Sequence, residues 1–199
     1  MKIIIIGASG DVGQVVCDEL SARHDIIKVS RSSGDIHADI ADRDSLVAMY
    51  DKVGTVDAVV SAAGTVHFGR LPDFTEDQMM LGLSNKVMGQ INVVLTGLGH
   101  VADGGSFTLT SGILDRDPII MGVGPAVANG ALGGFVTSAA LDMPRGQRIN
   151  VVSPGLLEVS EEAYRDIFHG HEAVSSKRVA LAYAKSVEGA ITGKVIAVD

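Results

Sequence analysis

The run Ile3-Ile4-Ile5-Ile6-Gly7-Ala8-Ser9-Gly10-Asp11-Val12-Gly13 decides the fold of this chain. Four consecutive isoleucines predict a strand that is buried on both faces, and the residues from Asp11 onward have the apolar spacing of a helix. Glycines between a strand and a helix permit a tight turn with positive φ, and they let the backbone approach a phosphate. A helix N-terminus adds unpaired N–H groups that favour an anion. An ordinary strand-to-helix turn is the alternative, but the position of the glycines favours a pyrophosphate-binding turn.

Short apolar runs alternate with longer helical patterns along all 199 residues. This alternation is typical of a parallel sheet with helices on both faces. We therefore predict one α/β domain over residues 1–199, a Rossmann-type doubly wound parallel sheet of about seven strands. The predicted strands are 2–7, 26–30, 36–39, 57–61, 106–110, 148–152 and 194–198; the predicted helices are 11–23, 43–53, 75–101 with a break near 82, 122–143, 161–169 and 176–189.

The composition argues against several classes of partner. Sixteen Lys and Arg residues stand against 24 Asp and Glu residues, for a formal net charge of −8. Without a basic cluster, neither nucleic acid nor an acidic membrane surface is an expected partner. Cys17 has no partner in the chain, which fits a reducing compartment, and we expect a cytoplasmic protein.

The stretch from Pro118 to Leu141 contains no charged residue and is long enough, in principle, to cross a bilayer. It also contains glycines, prolines and Asn129, and Asp142 follows directly. A buried or subunit-facing helix is therefore the better interpretation. The apolar helices predicted at 85–101 and 122–143 favour self-association, so we expect a homo-oligomer.

The end of the second predicted strand, Lys28-Val29-Ser30-Arg31-Ser32-Ser33, lacks an acidic residue. Dinucleotide-binding folds that prefer NAD(H) commonly place a carboxylate there to bind the ribose diol. The Arg31 guanidinium and the Ser32 hydroxyl would instead bind a 2′-phosphate. NADP(H) is therefore preferred over NAD(H), with a solvated loop arginine as the alternative.

Further motifs occur in order along the chain, and together they resemble those of the short-chain dehydrogenase/reductase family over nearly its whole length. They are Asp39-Ile40, Ser61-Ala62-Ala63-Gly64, Asn85, Ser111, Asn150-Val151-Val152-Ser153-Pro154-Gly155 and the ending Thr192 to Asp199. The resemblance implies that Ser111 orients the substrate oxygen and that Asn85 holds a water. With the glycine turn and Arg31, it implies these cofactor-binding residues: Gly7, Ser9, Gly10, Gly13, Arg31, Ser32, Asp39, Ala62, Ala63, Gly64, Pro154 and Gly155.

The sequence departs from this family at its catalytic pair, a tyrosine followed four residues later by a lysine. Phe135 and the Pro154-Gly155 segment align those positions with Pro125 and Asn129. Neither residue ionises, and a phenol with a pKa near 10 needs a neighbouring cation to act at neutral pH. None of the tyrosines, Tyr50, Tyr164 and Tyr183, is followed by lysine at that spacing.

Four other side chains are candidates for a substitute proton donor. Tyr164, His169 and His171 follow the Pro154-Gly155 segment, where a helix contact and an exposed turn are the simpler interpretations. His67 lies closer to the expected nicotinamide site, but no orienting partner can be named. The two histidines at 169 and 171 lack carboxylate or thiolate partners, and we predict no metal site.

The sequence thus supports two main hypotheses of function. The first is an NADP(H)-dependent oxidoreductase of a small carbonyl or alcohol, with a displaced or impaired proton donor. The second is a sensor or regulatory protein that binds NADP(H) without chemistry. A methyltransferase-like domain that uses another adenosine cofactor is a weaker third, because it leaves Pro154-Gly155 and the ending unexplained.

Overall fold

A computed structural model describes residues 1–199, and its centre is a seven-stranded sheet with the order β3-β2-β1-β4-β5-β6-β7. Every neighbouring pair of strands runs parallel. The predicted Rossmann-type doubly wound sheet is confirmed. The strands are β1 Lys2–Ile6, β2 Asp25–Ser30, β3 Ile36–His37, β4 Val56–Ser61, β5 Val101–Thr110, β6 Arg148–Pro154 and β7 Val195–Val198.

Helices cover both faces of the sheet. They are α1 Asp11–Ser21, α2 Arg43–Val53, α3 Glu76–Gly82, α4 Met88–Gly97, α5 Val123–Ala139, α6 Glu161–Tyr164 and α7 Ser176–Glu188.

The isoleucines of β1 are buried by helices on both faces. Ile4 and Ile6 belong to one core cluster, with side chains of α2, α4 and α5. Ile3 and Ile5 belong to the other, with side chains of α1 and α7. Alternate residues of a strand face opposite sides, so an unbroken apolar run marks a central strand.

Three helices begin at side-chain caps. The backbone N–H of Asp44 donates to the Asp42 carboxylate over 3.0 Å, and Ser175 accepts from the backbone of Arg178 at the start of α7. Thr75 forms a reciprocal capping box with Gln78. Such caps satisfy N–H groups that have no partner inside the helix.

The break predicted near residue 82 is confirmed, but the end of the helix predicted at 75–101 is wrong. The chain forms α3, then one π-helical turn over Leu83–Val87, then α4, and residue 101 begins β5. Val101 pairs with Val56 of the neighbouring strand, a contact between distant parts of the chain that local spacing does not reveal. The predicted helix at 161–169 is likewise too long, because α6 ends at Tyr164 and turns follow.

The charge-free stretch from Pro118 to Leu141 contains α5, which packs against the sheet and other helices. None of the helices combines the length and the apolar character that a membrane span requires.

Candidate active site

The glycine turn between β1 and α1 is built from close backbone contacts. Gly7 has φ +84°, and a Cβ there would lie 2.5 Å from the Ala62 carbonyl oxygen. A Cβ on Gly13 would lie 2.0 Å from the Gly7 carbonyl oxygen. Contacts this short exclude any side chain at either position, so both glycines are required by the turn itself.

The N-terminus of α1 is open to a ligand. Gly10 is its N-cap residue and supplies no side-chain hydrogen bond to the first turn. A Cβ built on Gly10 would have only the Gly7 carbonyl oxygen within 4 Å, at 3.6 Å, so the space beside it is free. Unpaired N–H groups beside free space fit a phosphate group.

A cavity of about 260 Å³ lies at the carboxyl ends of β1, β2 and β4, beside this turn. We call it the adenosine cavity. Of the predicted cofactor-binding residues, nine line it, together with Asn85: Gly7, Ser9, Gly10, Arg31, Ser32, Asp39, Ala62, Ala63 and Gly64. Gly13 lies beneath the turn, while Pro154 and Gly155 line a different cavity.

The two charged side chains of the adenosine cavity, Arg31 and Asp39, differ in exposure and in whether they already have a bonding partner. Arg31 is exposed and forms no ion pair within 4.0 Å. Asp39 is half-buried, and one of its carboxylate oxygens accepts a hydrogen bond from the backbone N–H of Ala41 over 2.9 Å. The guanidinium is therefore the charged group available to an anion at the end of β2.

A second cavity, also of about 260 Å³, lies at the ends of β5 and β6. We call it the reaction cavity. The two are neighbours along the chain, because Asn85 lines the first and Lys86 the second. The walls of the reaction cavity include Ser111, Pro125, Asn129, Pro154, Gly155, Tyr164 and Phe168.

Ser111 and Asn85, the predicted catalytic residues, lie in different settings. Ser111 follows the end of β5 and is buried, and its hydroxyl has one long contact of 3.5 Å, to the Val152 carbonyl oxygen. Asn85 lies in the π-helical turn, where its side-chain oxygen accepts from the backbone N–H of Thr65 over 2.7 Å. The Ser111 hydroxyl is thus free to bind a ligand oxygen, whereas Asn85 is partly engaged by the loop after β4.

Pro125 and Asn129 project from α5 into the wall of the reaction cavity. Pro125 lies in the first turn of the helix, where its missing N–H has no partner to lose. Asn129 is buried, and its side-chain oxygen accepts a hydrogen bond from Lys86 Nζ over 2.7 Å. Position 129 is therefore in direct contact with a cation that comes from another helix.

Lys86 is the site residue that the sequence analysis missed. Its Nζ donates to the Asn129 side chain and, over 3.1 Å, to the Ser111 carbonyl oxygen. Burial of the ammonium group lowers the pKa of Lys86 from 10.5 to about 8. A signal was present: Lys86 is the sole Lys, Arg, Asp or Glu between Asp77 and Asp103.

Of the three tyrosines, two lie in the core and only one lines the reaction cavity. Tyr50 and Tyr183 are fully buried in the core, and burial raises the pKa of each phenol far above its usual value. Tyr164 lines the reaction cavity, with its ring centroid 6.3 Å from that of Phe68 and 6.2 Å from that of Phe168. These three rings form an apolar cover on one side of that cavity.

The candidate histidines do not line the reaction cavity. The His67 ring packs edge-on against Phe74, with centroids 5.6 Å apart. His169 and His171 line a separate depression, where His171 Nδ1 is 3.6 Å from an Asp117 carboxylate oxygen. No group of three or more potential metal ligands comes together in the structure.

The family is decided by a match over residues 8–188 to the family model described as enoyl-(acyl carrier protein) reductase. The chain belongs to the short-chain dehydrogenase/reductase family. This family member is similar over its full length, and over the full length of the other chain, to a crystal structure of the protein lin1944 from Listeria innocua. The two are 46% identical, with a TM-score of 0.99.

Two more distant relatives are a dehydrogenase and a reductase. A short chain dehydrogenase from Burkholderia cenocepacia J2315, solved in complex with NADP, is 24% identical, with a TM-score of 0.85 and coverage of 99% of this chain and 95% of that one. Versicolorin reductase stcU from Emericella nidulans is 29% identical over 134 residues, which make up 62% of this family member and 49% of the reductase. The family member thus spans about half the length of this curated relative.

Proposed function

We propose that this family member binds NADP(H) and is an oxidoreductase of a small carbonyl or alcohol whose proton transfer does not use a tyrosine-lysine pair. One observation carries the proposal. Consecutive residues, Asn85 and Lys86, line the adenosine cavity beside the open N-terminus of α1 and the reaction cavity that contains the free hydroxyl of Ser111. A long ligand can span the two cavities.

The chain offers suitable groups to each part of the dinucleotide. Backbone N–H groups from Ser9 to the start of α1 suit the pyrophosphate, and Asp39 suits the adenine amino group. Arg31 and Ser32 suit a 2′-phosphate, which a carboxylate at the end of β2 would repel. The Burkholderia relative, itself in complex with NADP, supports the same choice.

Chemistry would take place in the reaction cavity. NADPH, when bound, supplies a hydride. The Ser111 hydroxyl donates a hydrogen bond to the substrate oxygen and fixes its position. Tyr164, Phe168 and Phe68 give one side of the cavity an apolar surface, which suits the carbon atoms of a small carbonyl substrate.

The test begins with binding and then adds substrates. Purified protein should quench or shift the fluorescence of NADPH, and should oxidise NADPH when a panel of small aldehydes, ketones and quinones is added. Ser111→Ala should keep NADPH binding and lower turnover. NADPH binding that is no tighter than that of AMP alone would contradict the proposal.

A non-catalytic role is the alternative, and Pro125 and Asn129 favour it. These two positions carry no ionisable group in the wall of the reaction cavity. A sensor that binds NADP(H) needs the adenosine cavity but no proton donor. Tight binding of NADPH without turnover of any carbonyl in the panel would establish this alternative.

We also propose that the protein forms a homo-oligomer through α4 and α5. Apolar side chains of both helices remain exposed, at 45% for Met88, 53% for Leu95 and 41% for Val127. Exposed apolar side chains on these two helices offer surface that a second copy can bury. Light scattering coupled to size-exclusion chromatography measures the oligomeric state directly.

A further inference from the structure

Lys86 presents a buried cation without a counter-ion. The residue is half-buried, and burial of its ammonium group lowers its pKa. No carboxylate oxygen lies within 4.0 Å of Nζ. Asp115 acts on it electrostatically but forms its own ion pair with Arg116, at 3.6 Å. Buried charges in proteins are normally paired, so this arrangement suggests a missing partner.

The hydrogen bonds of the ammonium group leave one donor free. Nζ carries three N–H bonds, and two of them serve the Asn129 side chain and the Ser111 carbonyl oxygen. Lys86 lines the reaction cavity beside Ser111 and Asn129. The third N–H is thus available to an oxygen atom of a ligand that enters this cavity.

The surrounding backbone is shaped to hold this lysine. Gly64 has φ +144°, and a Cβ there would lie 2.7 Å from Lys86 Cγ and 2.9 Å from its Cα. The π-helical turn Leu83–Val87 widens the helix at the same point, and such turns are frequent at functional sites. Lys86 is therefore fixed by local geometry rather than by an ion pair.

We propose that Lys86 supplies the positive charge of the reaction cavity by binding an oxygen of the ligand, either a hydroxyl of the nicotinamide ribose or the oxygen of the carbonyl substrate. This rests on the proposed function. Either oxygen would accept a hydrogen bond from the ammonium group. Removing the ammonium group would weaken NADPH binding in the first case and slow turnover in the second.

If the oxygen of the carbonyl substrate is the partner, Lys86 is also the proton donor. As the O–H bond of the alcohol forms, the N–H bond of Lys86 breaks and its electron pair stays on nitrogen. The neutral amine then recovers a proton from water, while the hydride and its two electrons come from NADPH. A pKa of about 8 leaves the amine charged at neutral pH and able to give up its proton.

The decisive variant is Lys86→Met, with Lys185→Met as the matched control on the exposed face of α7. If the ribose is the partner, the Kd for NADPH rises about tenfold. If the substrate oxygen is the partner, the Kd stays within about twofold and kcat falls about 10²- to 10⁴-fold. Lys185→Met changes neither quantity. An unchanged Kd together with an unchanged kcat overturns the proposal.

A rescue experiment separates a charge from a merely structural role. Adding Asn129→Lys to Lys86→Met returns an ammonium group to the same contact from the opposite helix. The lost quantity, whether Kd or kcat, should recover at least partly, whereas Asn129→Gln in the same background should not restore it. Equal values for the two double variants mean that Lys86 supports structure alone.

The outcomes also distinguish this proposal from the one it rests on. If the wild-type protein fails to bind NADPH, both the proposed function and the role of Lys86 are wrong. Wild-type protein that binds and turns over, with Lys86→Met indistinguishable from it, ends the role of Lys86 and leaves the proposed function intact. If the wild type binds without turnover, the Kd alone decides, and an unchanged Kd for Lys86→Met overturns the proposal.

Discussion

Lys86 and Asn129 meet from two different helices, and each determines what the other can do. Asn129 contributes no charge, but its side-chain oxygen, 2.7 Å from Nζ, holds the ammonium group in place. Lys86 in turn satisfies a buried amide oxygen that would otherwise lack a partner. The charge state of this pair therefore affects stability as well as ligand binding.

The buried charge of Lys86 should make the stability of the protein depend on pH. The folded pKa of Lys86, about 8, lies below its usual 10.5, so the unfolded state binds the proton more tightly. The stability cost is full below pH 8 and disappears as the pH rises toward 10.5. Lys86→Met should remove this pH dependence, so the wild type should gain about 1–3 kcal/mol of unfolding free energy relative to the variant between pH 7 and pH 10. Urea denaturation of both proteins at the two pH values measures this, and a difference between them that does not change with pH would contradict it.

The rate of carbonyl reduction should depend on pH if Lys86 gives the proton. Because the ammonium form is required, kcat/KM should fall as the pH rises through about 8. The titratable groups near Lys86 are Asp115, which acts on its charge, and Tyr164 across the cavity. Lys86→Met should lose the alkaline limb and Tyr164→Phe should keep it, as pH–rate profiles would show. If kcat/KM of Lys86→Met still falls at alkaline pH, a group other than Lys86 is responsible for the titration.

Arg31 should set the choice between the two nicotinamide cofactors. It is exposed and forms no ion pair, so its guanidinium is free to bind a 2′-phosphate. Arg31→Asp should raise the Kd for NADPH about 10- to 100-fold. The Kd for NADH, which lacks that phosphate, should stay the same or fall. Calorimetric titration with both cofactors checks the prediction, and equal weakening of both would assign Arg31 a structural role.

At the scale of the elements, the turn between β1 and α1 should tolerate no side chain. A Cβ on Gly13 would lie 2.0 Å from a backbone oxygen, so Gly13→Ala should destabilise by about 1–3 kcal/mol and weaken NADPH binding. Gly99, in the turn after α4, is the matched control because it is exposed and a Cβ there meets nothing within 4 Å. Gly99→Ala should change the stability by less than about 0.5 kcal/mol. Thermal unfolding distinguishes the two, and equal effects would contradict the close contact.

The elements also show where sequence reasoning succeeds. β1 was predictable because four adjacent isoleucines must be buried on both faces, and α2 was predicted with its correct bounds, Arg43–Val53, from apolar spacing and a good cap. The start of β5 at Val101 was not predictable, since it depends on pairing with the distant Val56. The π-helical turn at Leu83–Val87 escaped for a similar reason, because its residues also fit an α-helix.

The candidate site likewise contains residues that the sequence could predict and one that it could not. Residues after strands, such as Gly7, Arg31 and Ser111, could be placed because the ends of parallel strands meet at one edge. Lys86 could not, because a lysine on a helix is normally solvated. Its burial depends on Asn129 and on the room left by Gly64, both far from it in sequence.

At the scale of the whole molecule, the exposed apolar faces of α4 and α5 should be covered by another copy. Leu95, 53% exposed, lies on α4 within this surface. Leu95→Glu should weaken self-association about tenfold or more, because a carboxylate would have to be buried. Light scattering over a range of concentrations measures this, with Val47→Glu on α2 as the control for an exposed apolar residue elsewhere. A monomeric wild type would rule out the proposed oligomer.

The contact between Lys86 and Asn129 has a consequence for the evolution of such sites. Two ammonium groups could not share the 2.7 Å contact, since like charges that close in a buried setting repel strongly. Among related sequences, a lysine at one of these two positions should therefore exclude a lysine at the other. Such mutually exclusive substitution would mark the transfer of a functional charge from one helix to another while the cavity between them is retained.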